Sequence, residues 1–213
     1  MKHYSSMQKV IPAILTSDPK ELKEKLELFK GQSQWMHIDI MDGKFVQNTS
    51  VSLFDLEDAS EFFNLEIHLM VQNPETYLED CKEIGAKKVI FHAEAVENVP
   101  AFLQKAQQFE FQTAVALNPE TAVSPFPEAL KNVLLMAIHP GFQGQEFLSL
   151  VLQKIADTKK LSPQLLLGVD GGVKKENIQS IFQAGADYAV VGSGIMQAED
   201  PVAAFKELEE MVK

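Results

Sequence analysis

Short, nearly continuous apolar runs recur along the chain, separated by longer stretches in which polar residues are frequent. Runs of this kind are typical of strands that are buried on both faces. Eight runs fit the description: residues 10–15, 35–41, 65–70, 88–92, 112–117, 133–138, 165–169 and 188–191. The pattern therefore predicts eight buried strands.

Amphipathic stretches, with apolar residues repeating at spacings of three and four, lie between most of these runs. Six stretches have this helical pattern: residues 19–30, 74–84, 96–109, 145–161, 174–184 and 201–212. Asp18, Asn73 and Asp200 each precede a proline, an arrangement that suits the cap and first turn of a helix. The helical pattern is weaker in two further places: after the second strand, and after the fifth strand, where Ser-Pro-Phe-Pro at residues 124–127 interrupts it.

Strands that alternate with helices predict a parallel sheet. Dividing the 213 residues by eight gives about 27 residues per unit, close to the length of one strand–helix unit. We therefore expect an α/β protein with a single (β/α)8 TIM barrel over residues 1–213. A doubly wound open sheet is the alternative, but Thr16-Ser17-Asp18 after the first strand lacks the glycine-rich fingerprint of that fold.

The charge balance narrows the range of partners. The formal net charge is −11, and all 19 basic residues are lysines because the chain contains no arginine. Nucleic-acid binding normally uses a basic patch with arginines, so we expect no nucleic-acid partner. Cys81 alone cannot form an internal disulfide, and no apolar run reaches the roughly 18 residues of a membrane helix. We expect a cytoplasmic protein with no membrane partner.

Polar side chains interrupt three predicted strands near their carboxyl ends, where barrel enzymes place catalytic groups. His37 and Asp39 are two residues apart in the second strand, so their side chains point to the same side. His68 lies in the third strand and Asp170 ends the seventh. Taken singly, each residue fits a hydrogen-bonded core histidine or a helix-capping aspartate better than a ligand. Together they match the shell of one divalent ion such as Zn²⁺, Fe²⁺, Mn²⁺ or Co²⁺.

Two glycine-rich turns, Gly171-Gly172 and Gly192-Ser193-Gly194, follow the last two strands. In barrels these loops often form a phosphate site in which backbone N–H groups point at the anion. Glycines suit any strand–helix turn, but this position and the lack of arginine favour a phosphate site. Three further polar residues near strand ends are either pocket residues or solvated loop residues: His92, Glu94 and His139.

A metal site, a phosphate site and two carboxylates together predict proton abstraction next to a carbonyl group. A metal ion at a ketone oxygen stabilises the enediolate that forms when the neighbouring C–H is lost. A carboxylate on each face can remove a proton from one side and return a proton to the other. The expected product is an epimer of the substrate.

Seven segments carry a family resemblance, and they occur in family order over nearly the whole chain. They are Pro12-Ala13-Ile14-Leu15, His37-Ile38-Asp39-Ile40-Met41-Asp42-Gly43, His68-Leu69-Met70, Leu117-Asn118-Pro119, His139-Pro140-Gly141-Phe142-Gln143-Gly144-Gln145, Val169-Asp170-Gly171-Gly172 and Gly192-Ser193. The sequence thereby resembles the D-ribulose-5-phosphate 3-epimerase family. The resemblance implies a ribulose-phosphate-binding barrel, a phosphorylated ketose substrate, a place in the pentose phosphate pathway and a homo-oligomer, either a dimer or a hexamer.

The resemblance also implies roles for individual residues. His37, Asp39, His68 and Asp170 match the ligands of one divalent metal ion, with Asp39 as proton acceptor and Asp170 as proton donor. Substrate and phosphate contacts are implied for His68, Gly141, Phe142, Gln143, Gly144, Gly171, Gly172, Gly192 and Ser193. Pocket-lining positions are implied for Ala13, Met41, Met70 and Met136, although core packing explains the methionines equally well.

Three departures from the family pattern lie on the substrate side. Ala13 stands where the family usually has serine. Gln47 stands where the family has proline, and the Gly-Pro-Pro-like turn that follows in the family is missing from residues 50–55. Gln143 replaces a glycine, and we expect strain there because glutamine does not easily adopt positive φ. The departures bear on substrate identity, whereas all four metal ligands are present.

The expected reaction converts D-ribulose 5-phosphate to D-xylulose 5-phosphate. The same chemistry on a six-carbon ketose phosphate, such as allulose 6-phosphate, is one alternative. A non-catalytic barrel that binds a sugar phosphate is another. A decarboxylase of the same superfamily is disfavoured because Met41 stands where that chemistry needs a lysine.

Overall fold

Eight parallel strands pair in chain order, and the last pairs with the first to close a barrel in the computed structural model of this chain. The structure describes residues 8–56 and 58–213. The strands are β1 (Val10–Ile14), β2 (Trp35–Met41), β3 (Asn64–Met70), β4 (Lys88–His92), β5 (Gln112–Leu117), β6 (Asn132–Met136), β7 (Leu166–Asp170) and β8 (Tyr188–Val191). Each strand overlaps its predicted run, so the TIM-barrel prediction is confirmed. The extent of the domain over residues 1–213 stays a prediction.

Helices connect most of the strands. Within the described residues they are α1 (Pro19–Phe29), α2 (Leu78–Glu83), α3 (Val99–Ala106), α4 (Leu150–Leu161), α5 (Ile178–Gln183), α6 (Ser193–Met196) and α7 (Pro201–Met211), with 3₁₀ segments at Leu53–Leu56, Ala59–Glu61, Pro74–Tyr77 and Ala93–Ala95. As predicted, Asp18 and Asp200 cap α1 and α7, since each carboxylate accepts a hydrogen bond from a backbone N–H of the first turn. None of these helices is long and apolar enough to cross a membrane.

Four helices begin later than their sequence pattern predicts. α2 begins at Leu78 rather than at residue 74 and α3 at Val99 rather than at residue 96; the other two are α4 and α5. α4 begins at Leu150 rather than at residue 145, because Gln145 Nε2 donates to two backbone carbonyls of the preceding loop. α5 begins at Ile178 rather than at residue 174. In the turn before it, the Asn177 side chain accepts a hydrogen bond from the backbone N–H of Lys174 and donates one to the carbonyl of Gly172. Before both α4 and α5, side chain–backbone hydrogen bonds compete with the first helical turn.

Neither of the two weak helical patterns forms an α-helix in the residues that the structure describes. Two 3₁₀ segments connect β2 to β3, and the segment between β5 and β6 has no helix, consistent with prolines that lack an N–H to donate. The capping predicted for Asn73 is wrong. Pro74–Tyr77 forms a 3₁₀ turn before α2, and the Asn73 side chain makes no capping hydrogen bond.

Alternate strand residues fill the inside of the barrel. A buried apolar cluster occupies this lumen: Ile11, Ala13, Ile90, Ala114, Ala116, Leu134, Met136, Tyr188 and Val190. Strand pairing decides which of the polar residues become neighbours. His37 is paired with Glu66, and Glu66 with Lys88, while Asp39 is paired with His68 two residues farther along. Polar side chains of three strands therefore lie side by side.

Gly168 in β7 provides space for the ring of Tyr188. A Cβ atom at position 168 would lie 2.3 Å from Tyr188 Cζ, and Tyr188 is fully buried. We expect Gly168→Ala to lower the free energy of unfolding by about 1–3 kcal/mol through overpacking, as measured by urea denaturation. The same substitution on a Tyr188→Leu background should cost much less. An equal cost in both backgrounds would mean that the ring contact is not the cause.

Candidate active site

Four side chains that the sequence predicts as a metal shell converge near the carboxyl ends of three strands. His37 and Asp39 come from β2, His68 from β3 and Asp170 from the end of β7. Their exposed fractions are 0%, 7%, 0% and 9%. One potential ligand atom of each residue lies within 4.8 Å of those of the other three. The barrel therefore brings together four residues that are far apart in sequence.

The atoms that face one another are two ring nitrogens and two carboxylate oxygens. Asp39 Oδ1 lies 3.2 Å from His37 Nε2 and 3.0 Å from His68 Nδ1. Asp170 Oδ2 lies 4.0 Å and 3.6 Å from the same two nitrogens. A tetrahedral ion with bonds of about 2.0–2.1 Å places its ligand atoms about 3.3 Å apart. This cluster can therefore hold a divalent ion with small adjustments.

A second group of polar side chains lies behind the four, and the sequence analysis did not single it out. Glu66 Oε1 accepts a hydrogen bond of 2.7 Å from His37 Nδ1. Glu66 Oε2 lies 2.6 Å from Lys88 Nζ. Both residues are buried, and a charged residue inside an apolar strand was the signal that could have identified them, because an unpaired buried charge is costly.

His92 belongs to this site and not to a solvated loop. It is fully buried, and its Nε2 lies 2.9 Å from Nε2 of His68. The two rings stack with their centroids 5.0 Å apart. Glu94 Oε2 lies 3.5 Å from His92 Nδ1, and Glu94 Oε1 accepts a hydrogen bond from the backbone N–H of Asn118. His139, in contrast, has a side chain that is 63% exposed.

The environment separates the pKa values of the two carboxylates. Burial opposes the charge of Asp39, but hydrogen bonds from His37 and His68 outweigh burial and hold the pKa of Asp39 well below its usual range. Burial and the nearby charge of Asp39 raise the pKa of Asp170 to about 7. Burial also opposes charge on His37, but Asp39 and Glu66 together raise its pKa to about 10. Paired carboxylates with opposed pKa values are typical of an acid and a base in one active site.

One cavity adjoins both carboxylates. Its walls include Asp39 and Asp170 together with the predicted substrate, phosphate and pocket residues Ala13, Met41, Met70, Met136, Gly141, Phe142, Gln143, Gly144, Gly171, Gly172, Gly192 and Ser193. His37 and His68 are fully buried and do not contribute to these walls. The substrate contact expected of His68 therefore stays a prediction.

The strain expected at Gln143 is absent from the structure. Gly141 and Gly144 carry the positive φ angles of this loop, 127° and 81°, whereas Gln143 does not have positive φ. Asn48 Nδ2 donates a 2.8 Å hydrogen bond to the Gly141 carbonyl and ties the loop to the β2–β3 connection. The Gln143 side chain extends across the cavity, and its Nε2 lies 2.8 Å from the place where a Cβ of Gly192 would stand. Glutamine is tolerated here because the flanking glycines form the turn.

A larger cavity lies at the opposite end of the barrel. It has a volume of about 570 Å³ and is bordered by Trp35, Lys88 and Leu166 among others, at the amino ends of their strands. The buried carboxylates and imidazoles lie at the carboxyl ends, where barrel enzymes carry out their chemistry. The smaller cavity is therefore the candidate active site.

A family model described as the ribulose-phosphate 3 epimerase family matches residues 9–196. The chain belongs to the ribulose-phosphate 3-epimerase family. The ribulose-phosphate 3-epimerase of Aquifex aeolicus (strain VF5) is 33% identical over 216 residues, covering 97% of each chain. That of Bacillus subtilis (strain 168) is 34% identical over 213 residues, covering 95% of this chain and 98% of the relative. The predicted family and its class, the isomerases, are confirmed.

Solved structures add a likeness in fold alone. A 3-hexulose-6-phosphate synthase superposes with a TM-score of 0.70 at 18% identity, covering 96% of this chain and all of the other. A tryptophan synthase alpha-subunit from Pyrococcus furiosus gives 0.68 at 17% identity, covering 96% of each chain. Shared barrels at this identity do not imply a shared reaction.

The converging donor atoms predict that the protein binds one equivalent of Zn²⁺ or Co²⁺, measured by isothermal titration calorimetry. We expect His37→Ala and His68→Ala to weaken binding by more than about 100-fold, beyond the 10–100-fold effects of residues that only support metal ligands. His139→Ala removes an exposed histidine and serves as the matched control. Equal affinities in all three variants would contradict the assignment.

Proposed function

We propose that this protein is a metal-dependent 3-epimerase of phosphorylated ketoses that interconverts D-ribulose 5-phosphate and D-xylulose 5-phosphate. Its family and the names of its relatives in Aquifex aeolicus and Bacillus subtilis support this reaction. The observation that carries the proposal is the pair of buried carboxylates, Asp39 and Asp170, within one cluster of potential metal ligands.

Asp39 and Asp170 are the proton-transfer groups of this proposal. Asp39, which hydrogen bonds from His37 and His68 keep ionised in the metal-free site, is the group that accepts the proton from carbon 3 of the substrate. Asp170 is the group that delivers a proton to the opposite face of the same carbon; in the metal-free site, burial and the charge of Asp39 raise its pKa to about 7. In the reverse direction the two roles exchange. Without an ion, His37 Nε2 and His68 Nδ1 bond one oxygen of Asp39 and hold it in place. The same two nitrogens, once deprotonated, would be metal ligands.

His37, Asp39, His68 and Asp170 would hold the metal ion. Their mixed imidazole and carboxylate donors suit Zn²⁺, Fe²⁺, Mn²⁺ or Co²⁺. When bound, the ion supplies positive charge that stabilises the negative charge developing on the ketone oxygen as the neighbouring C–H bond breaks. The protein holds the donors in a buried position, where charges interact more strongly than in water.

The phosphate group is assigned to the turns after β7 and β8. Gly171 and Gly172 have φ angles of 106° and 65°, and a Cβ at Gly172 would lie 2.7 Å from the backbone nitrogen of Phe147. Glycine therefore lets this turn pack closely, and we assign the phosphate to the backbone N–H groups of the turn, whose residues line the cavity together with Gly192 and Ser193. Backbone N–H groups of this kind bind phosphate without arginine.

Three buried methionines, Met41, Met70 and Met136, complete the apolar part of the wall. Their thioethers neither donate nor accept a proton at neutral pH, so they do not compete with the two aspartates. Their flexible side chains can follow the shape of a sugar chain.

Several further expectations accompany this proposal. The protein is expected to act in the pentose phosphate pathway of the cytoplasm as a homo-dimer or homo-hexamer, without a nucleic-acid or membrane partner. These statements stay predictions.

The decisive experiment is proton NMR of the protein with D-ribulose 5-phosphate in heavy water. We expect deuterium at carbon 3 and growth of the D-xylulose 5-phosphate signals. Asp39→Asn and Asp170→Asn should each slow the reaction by about 10²–10⁴-fold, the usual contribution of a general acid or base. Circular dichroism of both variants controls for folding.

Two outcomes would contradict the proposal in different ways. Unchanged turnover in both folded variants would remove Asp39 and Asp170 from the chemistry. Absence of exchange on any ketose phosphate, in protein shown to contain metal, would favour a non-catalytic sugar-phosphate-binding barrel.

A six-carbon ketose phosphate such as allulose 6-phosphate is the second candidate substrate, and Gln143 is the observation that favours testing it. Its Nε2 lies 2.8 Å, and the backbone oxygen of Ala13 lies 3.8 Å, from the place where a Cβ of Gly192 would stand. Ala13, where the family usually has serine, offers no side-chain hydrogen-bonding group to the same cavity. The side-chain amide of Gln143 offers one from the loop after β6 instead. A changed set of polar contacts alters which substrate hydroxyl groups are satisfied.

We expect Gln143→Gly to change the ratio of kcat/KM between the five-carbon and six-carbon substrates by about tenfold, because the amide contact is lost. Both values come from steady-state assays on the same preparation. Gln153→Ala, which alters a glutamine on the exposed face of α4, is the control and should leave the ratio unchanged. An identical ratio in Gln143→Gly would remove Gln143 from substrate selection.

A further inference from the structure

A row of three charged or ionisable side chains crosses the lumen from His37, one of the candidate metal ligands, to the first residue of β4. His37, Glu66 and Lys88 are neighbours in the pairing of β2 with β3 and of β3 with β4. Glu66 Oε1 accepts from His37 Nδ1 at 2.7 Å, and Glu66 Oε2 lies 2.6 Å from Lys88 Nζ. The exposed fractions are 0% for His37 and Glu66 and 3% for Lys88. The proton-transfer chemistry described above uses neither Glu66 nor Lys88.

Lys88 is held on more than one side. Its Nζ lies 4.6 Å from the ring centroid of Tyr188 and 5.0 Å from that of Trp35. Aromatic faces at such distances attract an ammonium group. The ammonium group therefore has a fixed position against Glu66, because two rings and one carboxylate confine it.

The carboxylate of Glu66 in turn determines how the His37 ring is used. An ionised carboxylate accepts hydrogen bonds but cannot donate one. His37 Nδ1 must therefore carry the proton toward Glu66, and Nε2 is the nitrogen that faces Asp39 and Asp170. Partners of this kind fix the tautomer and orientation of a metal-binding histidine.

We propose that Lys88 is a positioning residue, which acts through Glu66 to hold the His37 ring with Nε2 directed at the metal ligands. The inference rests on the proposed metal site. Its competitor is a purely structural ion pair, in which Lys88 only neutralises a buried carboxylate.

Four variants separate these explanations. Lys88→Met removes the charge, Lys88→Arg keeps it, and Lys88→Met combined with Glu66→Gln removes both charges while leaving an amide oxygen that can accept from His37. Lys159→Met is the matched control, because Lys159 Nζ also forms a close ion pair, 2.5 Å from Asp187 Oδ2, away from the ligands.

The affinity for Zn²⁺ and the visible spectrum of the Co²⁺-loaded protein are measured beside the free energy of unfolding. We expect Lys88→Met to weaken Zn²⁺ binding by about tenfold or more and to change the Co²⁺ spectrum. Lys88→Arg should restore part of the affinity. The double variant should recover stability but not affinity, because a neutral acceptor holds the His37 N–H less strongly. Lys159→Met should lower stability alone.

Recovery of both stability and affinity in the double variant would overturn the proposal in favour of a structural pair. Wild-type affinity and an unchanged Co²⁺ spectrum in folded Lys88→Met would also overturn it. If Lys88→Met does not fold, the Zn²⁺ affinity of the folded double variant is compared with that of the wild type. A weakened affinity is the expected result, and wild-type affinity would overturn the proposal.

Failure of the wild-type protein to bind any divalent ion would contradict the proposed metal site instead. In that case the Nδ1–H resonance of His37, followed by NMR in ¹⁵N-histidine-labelled, metal-free protein, still tests the orientation. We expect a strongly hydrogen-bonded resonance in the wild type that shifts in Lys88→Met and not in Lys159→Met. An unshifted resonance in Lys88→Met would overturn the proposal.

Discussion

The contact between Asp39 and the two histidines, His37 and His68, is the interaction on which the site depends. Two carboxylates and two imidazoles lie in a closed barrel, where each charge loses most of its contact with water and must be compensated by a neighbour. Asp39 accepts from both rings and keeps its charge, whereas Asp170 lies farther from the same nitrogens and has a raised pKa. In the metal-free site, the surroundings thus move the pKa values of two chemically equal side chains in opposite directions.

The apolar lumen strengthens the effect of these contacts on the pKa values of Asp39 and Asp170, because it keeps water away from the charged groups. Residues such as Ile90, Leu134 and Val190 fill the barrel, so each buried polar group needs a nearby polar or aromatic partner. Glu66 and Lys88 extend the chain of contacts toward the amino ends of the strands, and His92 extends it from His68 toward β4. A buried polar network of this kind favours a single arrangement, since leaving any member unpaired is costly.

The loops after β6 and β7 form most of the part of the cavity wall that the strands do not. Gly141 and Gly144 form the turn of one loop with positive φ, and Gly172 lets the turn after β7 approach Phe147 closely. These glycines bring backbone groups to the cavity that the carboxylates share. Gln143 adds a side-chain amide at the same place. The ionisable side chains of the site therefore come from the strands, while the loops supply much of the cavity wall.

Local pattern was enough to predict eight strands, most of the helices and the four candidate ligands. Continuous apolar runs identify buried parallel strands, and His37, Asp39, His68 and Asp170 stand out because polar residues interrupt those runs. The start of α4 was not predictable in this way, because Gln145 bonds loop carbonyls that only the folded chain brings near it. The roles of Glu66, Lys88 and His92, and the opposed pKa values of Asp39 and Asp170, likewise depended on the tertiary structure. Periodicity is a property of neighbouring residues in sequence, whereas strand register, burial and the distances between charges arise only when distant segments pack together.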